Sequence, residues 1–333
     1  MLQKIAKDLP LPALLLDLDA FDENCRNIAK KSKGKTIRIA TKSIRSLSVL
    51  KRIFQSSSVY QGVMSYSPYE AIFLANQGFG DILIGYPFWE EQAYKEIAER
   101  NKKGKKITIM VDSMDHIMRA KELAEQVDGY FYLCIDIDMS TTFGNLHFGV
   151  RRSPLTREEE VLQLARIIKE SPRLKLLGIM GYEAQIAGVG DAVPSQWAKN
   201  QIVTFLKKKS VREIRQRRKT IVEALKKEGF RDFFVNGGGT GSLECTAEDE
   251  WVTEMTAGSG FYSPLLFDYY RDFQYKPSLF FALPVVRKPA KNIVTCLGGG
   301  YIASGPASRD KLPQPVFPPG GKLLAFEGAG EVQ

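Results

Sequence analysis

Histidine and cysteine are scarce. Only His116 and His147, and Cys25, Cys134, Cys245 and Cys296, occur in 333 residues. The cysteines are far apart and make no Cys-x-x-Cys pair. There is no His-Glu-x-x-His and no Cys/His cluster, so the usual routes to a protein-built zinc site are missing. Separated thiols in a long chain read as reduced and mostly buried, which points to the cytoplasm. Long apolar runs are also missing. Ala13–Leu16 is cut off by Asp17 and Asp19, far short of the roughly 18 apolar residues of a spanning helix, and no leader is visible. A Walker-type phosphate loop, an internal repeat and a low-complexity tract are all absent, and Gly298-Gly299-Gly300 reads as a turn.

What is present is a large apolar fraction, 44%, arranged in alternating segments. Strand-like runs fall at Thr36–Thr41, Val59–Ser65, Asp81–Tyr86, Lys106–Asp112, Tyr130–Asp138, Leu174–Tyr182, Phe233–Asn236 and Val252–Ala257. Helical spacing separates them, at Pro68–Gln77, Glu90–Asn101, Ser113–Gln126, Arg157–Glu170 and Gln196–Glu228, the last with a break expected near Ser210. Near-continuous apolar strands alternating with helices imply a parallel sheet covered on its faces. Eight such units suggest an α/β fold, a (β/α)8 barrel of TIM type. A leading strand and helix occupy residues 1–34, the barrel 35–272, and a second, mainly β domain 273–333. Strands are expected there at Leu279–Val286 and Asn292–Leu297, and the leading strand is a candidate to join them. The ending reads as abrupt for such a domain.

Net charge is +9, concentrated at Lys207–Lys219, where eight basic residues meet one acid, Glu213, for a local +7. Ile202, Phe205, Leu206, Ile214, Ile221, Val222 and Leu225 continue through it at helical spacing. The reading adopted is an amphipathic helix with a solvated basic face, not a nucleic-acid site, because aromatic interleaving and a binding motif are lacking.

In a barrel of this kind the chemistry collects at the C-terminal ends of the strands. Lys42, in Thr41-Lys42-Ser43, ends the first strand and is expected to be buried at the barrel mouth, where desolvation frees an amine for Schiff-base chemistry. After strand six come Tyr182, Glu183 and Gln185. After strand seven, Asn236-Gly237-Gly238-Gly239-Thr240-Gly241 offers backbone N–H groups to an anion, with phosphate the natural guest. After strand eight, Gly258-Ser259 supplies a second small-residue loop.

These segments resemble the alanine-racemase-type pyridoxal-phosphate enzymes (fold type III), in their D-threonine aldolase and D-serine dehydratase branch. The similar segments are Leu11-Pro12-Ala13-Leu14-Leu15-Leu16-Asp17, Arg38-Ile39-Ala40-Thr41-Lys42, Gly181-Tyr182-Glu183-Ala184-Gln185, Asn236–Gly241 and Thr253–Ser259. The resemblance implies pyridoxal 5'-phosphate held by Lys42 as a Schiff base. It places the phosphate on Gly238, Gly239, Thr240, Gly258 and Ser259, Tyr182 by the pyridine ring, and Gln185 beside the cofactor. Lys42, once displaced by substrate, could act as the base at Cα. Some members of the branch also use a divalent metal held by a histidine and a Cys or Asp near the C-terminus. No histidine follows His147, so those ligands are not found and no metal residue is assigned. An arginine usual near the cofactor after strand five has three candidate substitutes, His147, Arg151 and Arg152, and the choice stays open.

The resulting expectation is a lyase of aldolase or dehydratase type acting on small amino acids of D configuration, as a cytoplasmic homodimer without membrane or nucleic-acid partners. An amino-acid racemase with the same cofactor is the alternative, with Tyr269, Tyr270 and Tyr301 as candidates for its second acid–base group. A non-catalytic cofactor-binding protein is a third reading, disfavoured by the extra β domain.

Overall fold

A computed structural model of the chain describes residues 5, 6, 8–194, 196–298 and 312–324. The chain divides into two compact units. One comprises Met1–Asn27, Gly190–Asn200 and Ser259–Gln333, the other Ile28–Val189 and Gln201–Gly258. No helix among the described residues is long and apolar enough to cross a membrane.

The larger unit is a closed barrel of eight parallel strands. They are β2 (Thr36–Ala40), β3 (Tyr60–Ser65), β4 (Asp81–Ile84), β5 (Lys106–Val111), β6 (Phe131–Asp136), β9 (Leu174–Gly181), β10 (Phe234–Gly237) and β11 (Glu254–Ala257). The ring closes where β11 pairs with β2, from Glu254 opposite Thr36 to Ala257 opposite Ile39. All eight expected strands are present, each trimmed or shifted by a residue or two at its ends. Their apolar residues are buried because helices cover the outside while the inside is filled. Inside, Leu83, Met110, Cys134 and Met180 form one buried layer, with Met64 and Phe234 packed against it. Strand β9 is drawn tightly against β10 at Gly178, where a Cβ would lie 2.3 Å from the Phe234 ring; only glycine fits.

Helix starts follow capping chemistry. Ser67 and Ser113 accept the N–H of Glu70 and His116 ahead of helices Pro68–Asn76 and Met114–Gln126, satisfying donors that the first turn leaves open. Helix Trp197–Lys227 runs unbroken for 31 residues. The expected break at Ser210 does not occur, because that side chain is buried and shares a 2.6 Å hydrogen bond with Thr141 Oγ1. The basic face of this helix is not simply solvated either. Arg217 donates to the carbonyls of Asp138 and Ser140, and Arg218 is buried.

A hairpin absent from the sequence reading, β7 (Thr141–Phe143) and β8 (Leu146–Phe148), follows β6. It turns at Gly144, whose φ is +59°.

In the smaller unit, β1 (Ala13–Leu16) pairs antiparallel with β12 (Leu279–Ala282). Asn24 fastens the same unit by donating to the carbonyls of Phe261 and Lys276. The expected single strand Leu279–Val286 is in fact two, β12 and β13 (Val285–Ala290), parted at Leu283-Pro284. A proline there has no N–H for the ladder. Strand β13 pairs with β14 (Ile293–Cys296). All four cysteines are free, but Cys296 is exposed, against the expected burial, because all of β14 faces outward.

Toward the N-terminal ends of the strands, Arg38 is buried and forked onto Glu254, with Nε to Oε1 at 2.7 Å and Nη2 to Oε2 at 2.8 Å. It also donates to Asp81 at 2.8 Å, and Asn236 donates to Glu254 at 2.8 Å. Removing one partner of such a pair strands a buried charge. Arg38→Met is expected to lower the free energy of unfolding by about 3–5 kcal/mol, read from urea melts of variant and parent.

Candidate active site

Parallel closure brings the C-terminal ends of eight strands to one rim. After β2 the chain enters a single 3-10 turn, Thr41–Ser43, in which Ile44 and Arg45 both donate to the Thr41 carbonyl. Thr41 is buried and donates through Oγ1 to the Met64 carbonyl at 3.0 Å. Lys42 therefore stands on the rim, and its side chain is exposed rather than buried as expected. Its ammonium donates to the Tyr86 hydroxyl at 3.1 Å.

Tyr86 lies two residues beyond β4, and two cations face it. The Arg152 guanidinium stands 4.8 Å from its ring centroid and 5.9 Å from that of Tyr182. Partial burial alone would raise the Tyr86 phenol. The Lys42 hydrogen bond and charge, together with Arg152, outweigh it and hold the phenol below the ordinary tyrosine value. Arg152 is fixed in turn. Its Nε donates to Asp136 at 2.8 Å, its Nη2 to the Gly85 carbonyl, and its backbone N–H to Asp138 at 2.8 Å. Of the three candidates left open, Arg152 is thus the one seen against the rim tyrosines Tyr86 and Tyr182. Arg151 is exposed, and His147 sits on β8 opposite Thr142.

The glycine loop follows β10. Gly238 takes φ +84° and gives its N–H to Glu183 Oε2 at 2.5 Å. Gly239 gives its N–H to Ser242 Oγ at 3.0 Å. Both donors are thus engaged, the first by a side chain that follows β9 and the second inside the loop, which leads into a 3-10 turn at Thr240–Ser242 and a short helix, Leu243–Ala247. Tyr182 borders the loop, since a Cβ on Gly239 would stand 3.0 Å from its ring. Gln185 is buried. Its Nε2 donates to the Met139 carbonyl at 2.7 Å, while its Oε1 has no hydrogen-bond partner among the described residues. Gly258 packs close to the first strand, with Ala40 Cβ and Ser43 Oγ each 3.0 Å from where its Cβ would be. Ser259 begins a turn, Ser259–Phe261, that belongs to the smaller unit.

Lys42, Tyr182, Gln185, Gly238, Gly239, Thr240 and Gly258 therefore all belong to the barrel unit, at or just beyond strand ends. Tyr86 and Asp136 were missed in the sequence. Each ends or follows an apolar strand, the same positional signal that drew attention to Lys42. Of the tyrosines considered for a second acid–base group, Tyr270 is buried in a cluster with Phe267 and Phe273. The Tyr269 carbonyl accepts from Asp191 and Ala192, and Tyr301 lies outside the described residues. No group of three or more His, Cys, Asp or Glu among the described residues is placed to hold a metal ion.

A family model described as alanine racemase, N-terminal domain, matches residues 16–264. The chain belongs to this family. Among curated proteins, it is 26% identical over 253 residues to 3-hydroxy-D-aspartate aldolase of Paracoccus denitrificans (strain Pd 1222), covering 76% of this chain and 60% of that protein. The chain thus spans about three-fifths of the length of the curated relative it matches. Among solved structures, D-threonine aldolase from Filomicrobium marinum superposes with a TM-score of 0.74 at 18% identity, over 88% of this chain and 73% of that one. D-threo-3-hydroxyaspartate dehydratase from Delftia sp. HT23 gives 0.66 at 18% identity, over 86% and 70%.

Members of the alanine racemase N-terminal domain family use pyridoxal phosphate, and the barrel residues fit that group. An amine stands at the rim, a glycine loop opens a helical turn, and an aromatic ring borders that loop. Gln185 offers a buried oxygen still lacking a partner.

Burial pushes the Asp136 carboxyl up to about 7, although Arg152 pulls it down. The folded value lies above the ordinary 3.8, so between the two the folded chain holds a proton that the unfolded chain has lost. Stability should therefore fall as pH rises from about 4 to about 7, where the folded carboxyl has also lost its proton. The loss levels off above that, and Asp136→Asn is expected to flatten it, checked by thermal melts of parent and variant across about pH 4 to pH 8.

Proposed function

We propose that this chain is a pyridoxal-phosphate-dependent lyase, of aldolase or dehydratase type, acting on small D-amino acids that carry a hydroxyl at C3. The observation that carries the reading is the convergence at one barrel rim of a hydrogen-bonded lysine amine and a glycine-rich turn. Similarity to 3-hydroxy-D-aspartate aldolase over 76% of the chain supports the substrate class.

Residues 35–272 are taken as the cofactor-binding part and residues 273–333 as a β part. The leading strand Ala13–Leu16 joins the latter through β12. Lys42 would hold the cofactor through its amine, and Gly238, Gly239, Thr240 and Gly258, with Ser259 next in the chain, would cradle the phosphate. Gly238 and Gly239 contribute by conformation and small size, since their N–H groups are already engaged. Tyr182 would lie against the ring and Gln185 beside it. Bound there, the cofactor supplies an electron-accepting ring that eases cleavage of a bond at Cα. The protein's own part is to keep protons in place. Lys42 exchanges a proton with substrate, Tyr86 holds the lysine amine in reach, and Arg152 keeps the Tyr86 oxygen in a positive field. Protein in the cytoplasm as a homodimer, without nucleic-acid or membrane partners, completes the proposal. Withdrawal of Arg217 and Arg218 into protein contacts supports its nucleic-acid clause, since it weakens the basic face.

Purified protein should be yellow, with an absorbance band that borohydride removes, and Lys42→Ala should lack it; a chromophore undiminished in that variant would refute the covalent role of Lys42. Incubation with D-threonine, 3-hydroxy-D-aspartate, D-serine and D-alanine, with and without added divalent metal, is expected to release aldehyde or keto acid from the hydroxylated substrates. Inversion of D-alanine instead would make it a racemase. Tyr86→Phe should slow turnover about 10²-fold while the absorbance band persists, measured by aldehyde release and by spectrum.

A further inference from the structure

Arg218 is not part of the rim, yet it is among the largest fully buried side chains of the chain. It lies on the apolar stripe of helix Trp197–Lys227, in line with the buried Ile214, Ile221, Val222 and Leu225. Its Nη2 donates to Glu183 Oε1 at 2.7 Å and to the Gly181 carbonyl at 3.1 Å, and its Nη1 donates to Asp249. Glu183 is equally buried. Its other oxygen accepts the Gly238 N–H, and Thr246 Oγ1 donates to Oε1 at 3.4 Å. Gly237 leaves the guanidinium its space, since a Cβ there would be 2.9 Å from Nη2. On the far side, Lys35 donates to the Asp249 carbonyl at 2.6 Å. One arginine thus joins the end of β9, the loop after β10 and the turn before β11.

The charges give this arrangement a purpose. A carboxylate fixed against the first N–H of an anion-binding loop repels the anion the loop is shaped to take. In a buried setting that repulsion is poorly screened. A cation on the opposite face of the carboxylate cancels it. A neutral amide at 183 could make the same backbone bond without repulsion, but it could not anchor the guanidinium that ties the three segments.

We propose that Arg218 is a positioning residue for the cofactor phosphate: it neutralises Glu183 and, through Glu183, fixes Gly238 and the opening of the glycine loop. The proposal rests on the pyridoxal-phosphate reading above. It assigns to the basic helix a part in cofactor affinity, delivered from behind the loop and without contact to the ligand.

The test compares two probes, pyridoxal 5'-phosphate and pyridoxal, which differ only in the phosphate. Each is titrated into the full-length chain after its cofactor has been removed with hydroxylamine. The quantity read is the ratio of the two dissociation constants. Arg218→Met is expected to lower the preference for the phosphorylated probe by about 10- to 100-fold, the range that supporting residues command over a bound group. Its affinity for pyridoxal should stay within about threefold. Arg218→Met combined with Glu183→Gln and Asp249→Asn removes all three charges of the cluster and should restore most of the preference. That triple change also keeps the test alive if Arg218→Met alone does not fold, because it leaves neither Glu183 nor Asp249 as a stranded buried charge. Arg218→Lys keeps the charge but not the fork, and should lose less than Arg218→Met. Equal weakening of both probes in Arg218→Met, or a triple variant no better than the single, would overturn the assignment of Arg218 alone. A parent protein that binds neither probe would instead bring down the cofactor reading itself.

Discussion

Hydrogen bonding between β11 and β2 closes the ring, and the site depends on that seam. It sets the first strand of the barrel beside the last, so the lysine turn at Thr41–Ser43 and the loop at Gly258 are neighbours although more than two hundred residues separate them. A Cβ on Gly258 would stand 3.0 Å from both Ala40 Cβ and Ser43 Oγ, a closeness that follows from the register of the two strands. Arg38, forked onto Glu254 across the same seam, ties the closure electrostatically. The segment Arg38–Lys42 thus serves both ends of the barrel: its arginine holds the strands together, and its lysine, four residues on, reaches the rim.

A second regularity concerns where the charges go. Two buried arginines and one half-buried one each meet carboxylates: Arg38 with Glu254 and Asp81, Arg218 with Glu183 and Asp249, and, half-buried, Arg152 with Asp136. Buried ion pairs are poor sources of net stability, and hydrophobic replacements often do as well. What they supply is direction. A guanidinium with two carboxylates or carbonyls in its fork has one orientation, and the loops attached to it inherit that orientation. At the rim, Arg152 does this for the segment between hairpin and helix while charging the space around Tyr86. Beneath the glycine loop, Arg218 does it for three chain segments at once.

Much of this was legible in the sequence. The strands were visible because residues such as Ile107, Ile109 and Val111, or Leu133 and Ile135, must be apolar to fill a barrel covered on both faces. The lysine and glycine segments stood out because they interrupt that pattern where strands end. The hairpin Thr141–Phe148 was overlooked although Gly144-Asn145 is a turn signal between short β-prone runs; three-residue strands carry too little periodicity to be noticed. The choice of Arg152 over Arg151 and His147 depends on how the chain leaves that hairpin, which no local pattern encodes. Arg218 was hidden by its neighbours. Within a run of eight basic residues it looks like one more solvated charge, yet its spacing from Ile214 and Ile221 places it on the buried stripe. Exposure of Lys42 could not be anticipated, because a single 3-10 turn after Ala40 decides it.

The layered filling of the barrel has a final consequence. Below the rim, Leu83, Met110, Cys134 and Met180 pack into one buried layer, and the Arg38–Glu254 fork is buried toward the opposite end of the strands, so the barrel is a packed core and not a pore. Nothing the size of an amino acid can pass through. Under the reading proposed above, substrate and product would therefore share the one opening at the rim, and each would have to clear it before the other could enter.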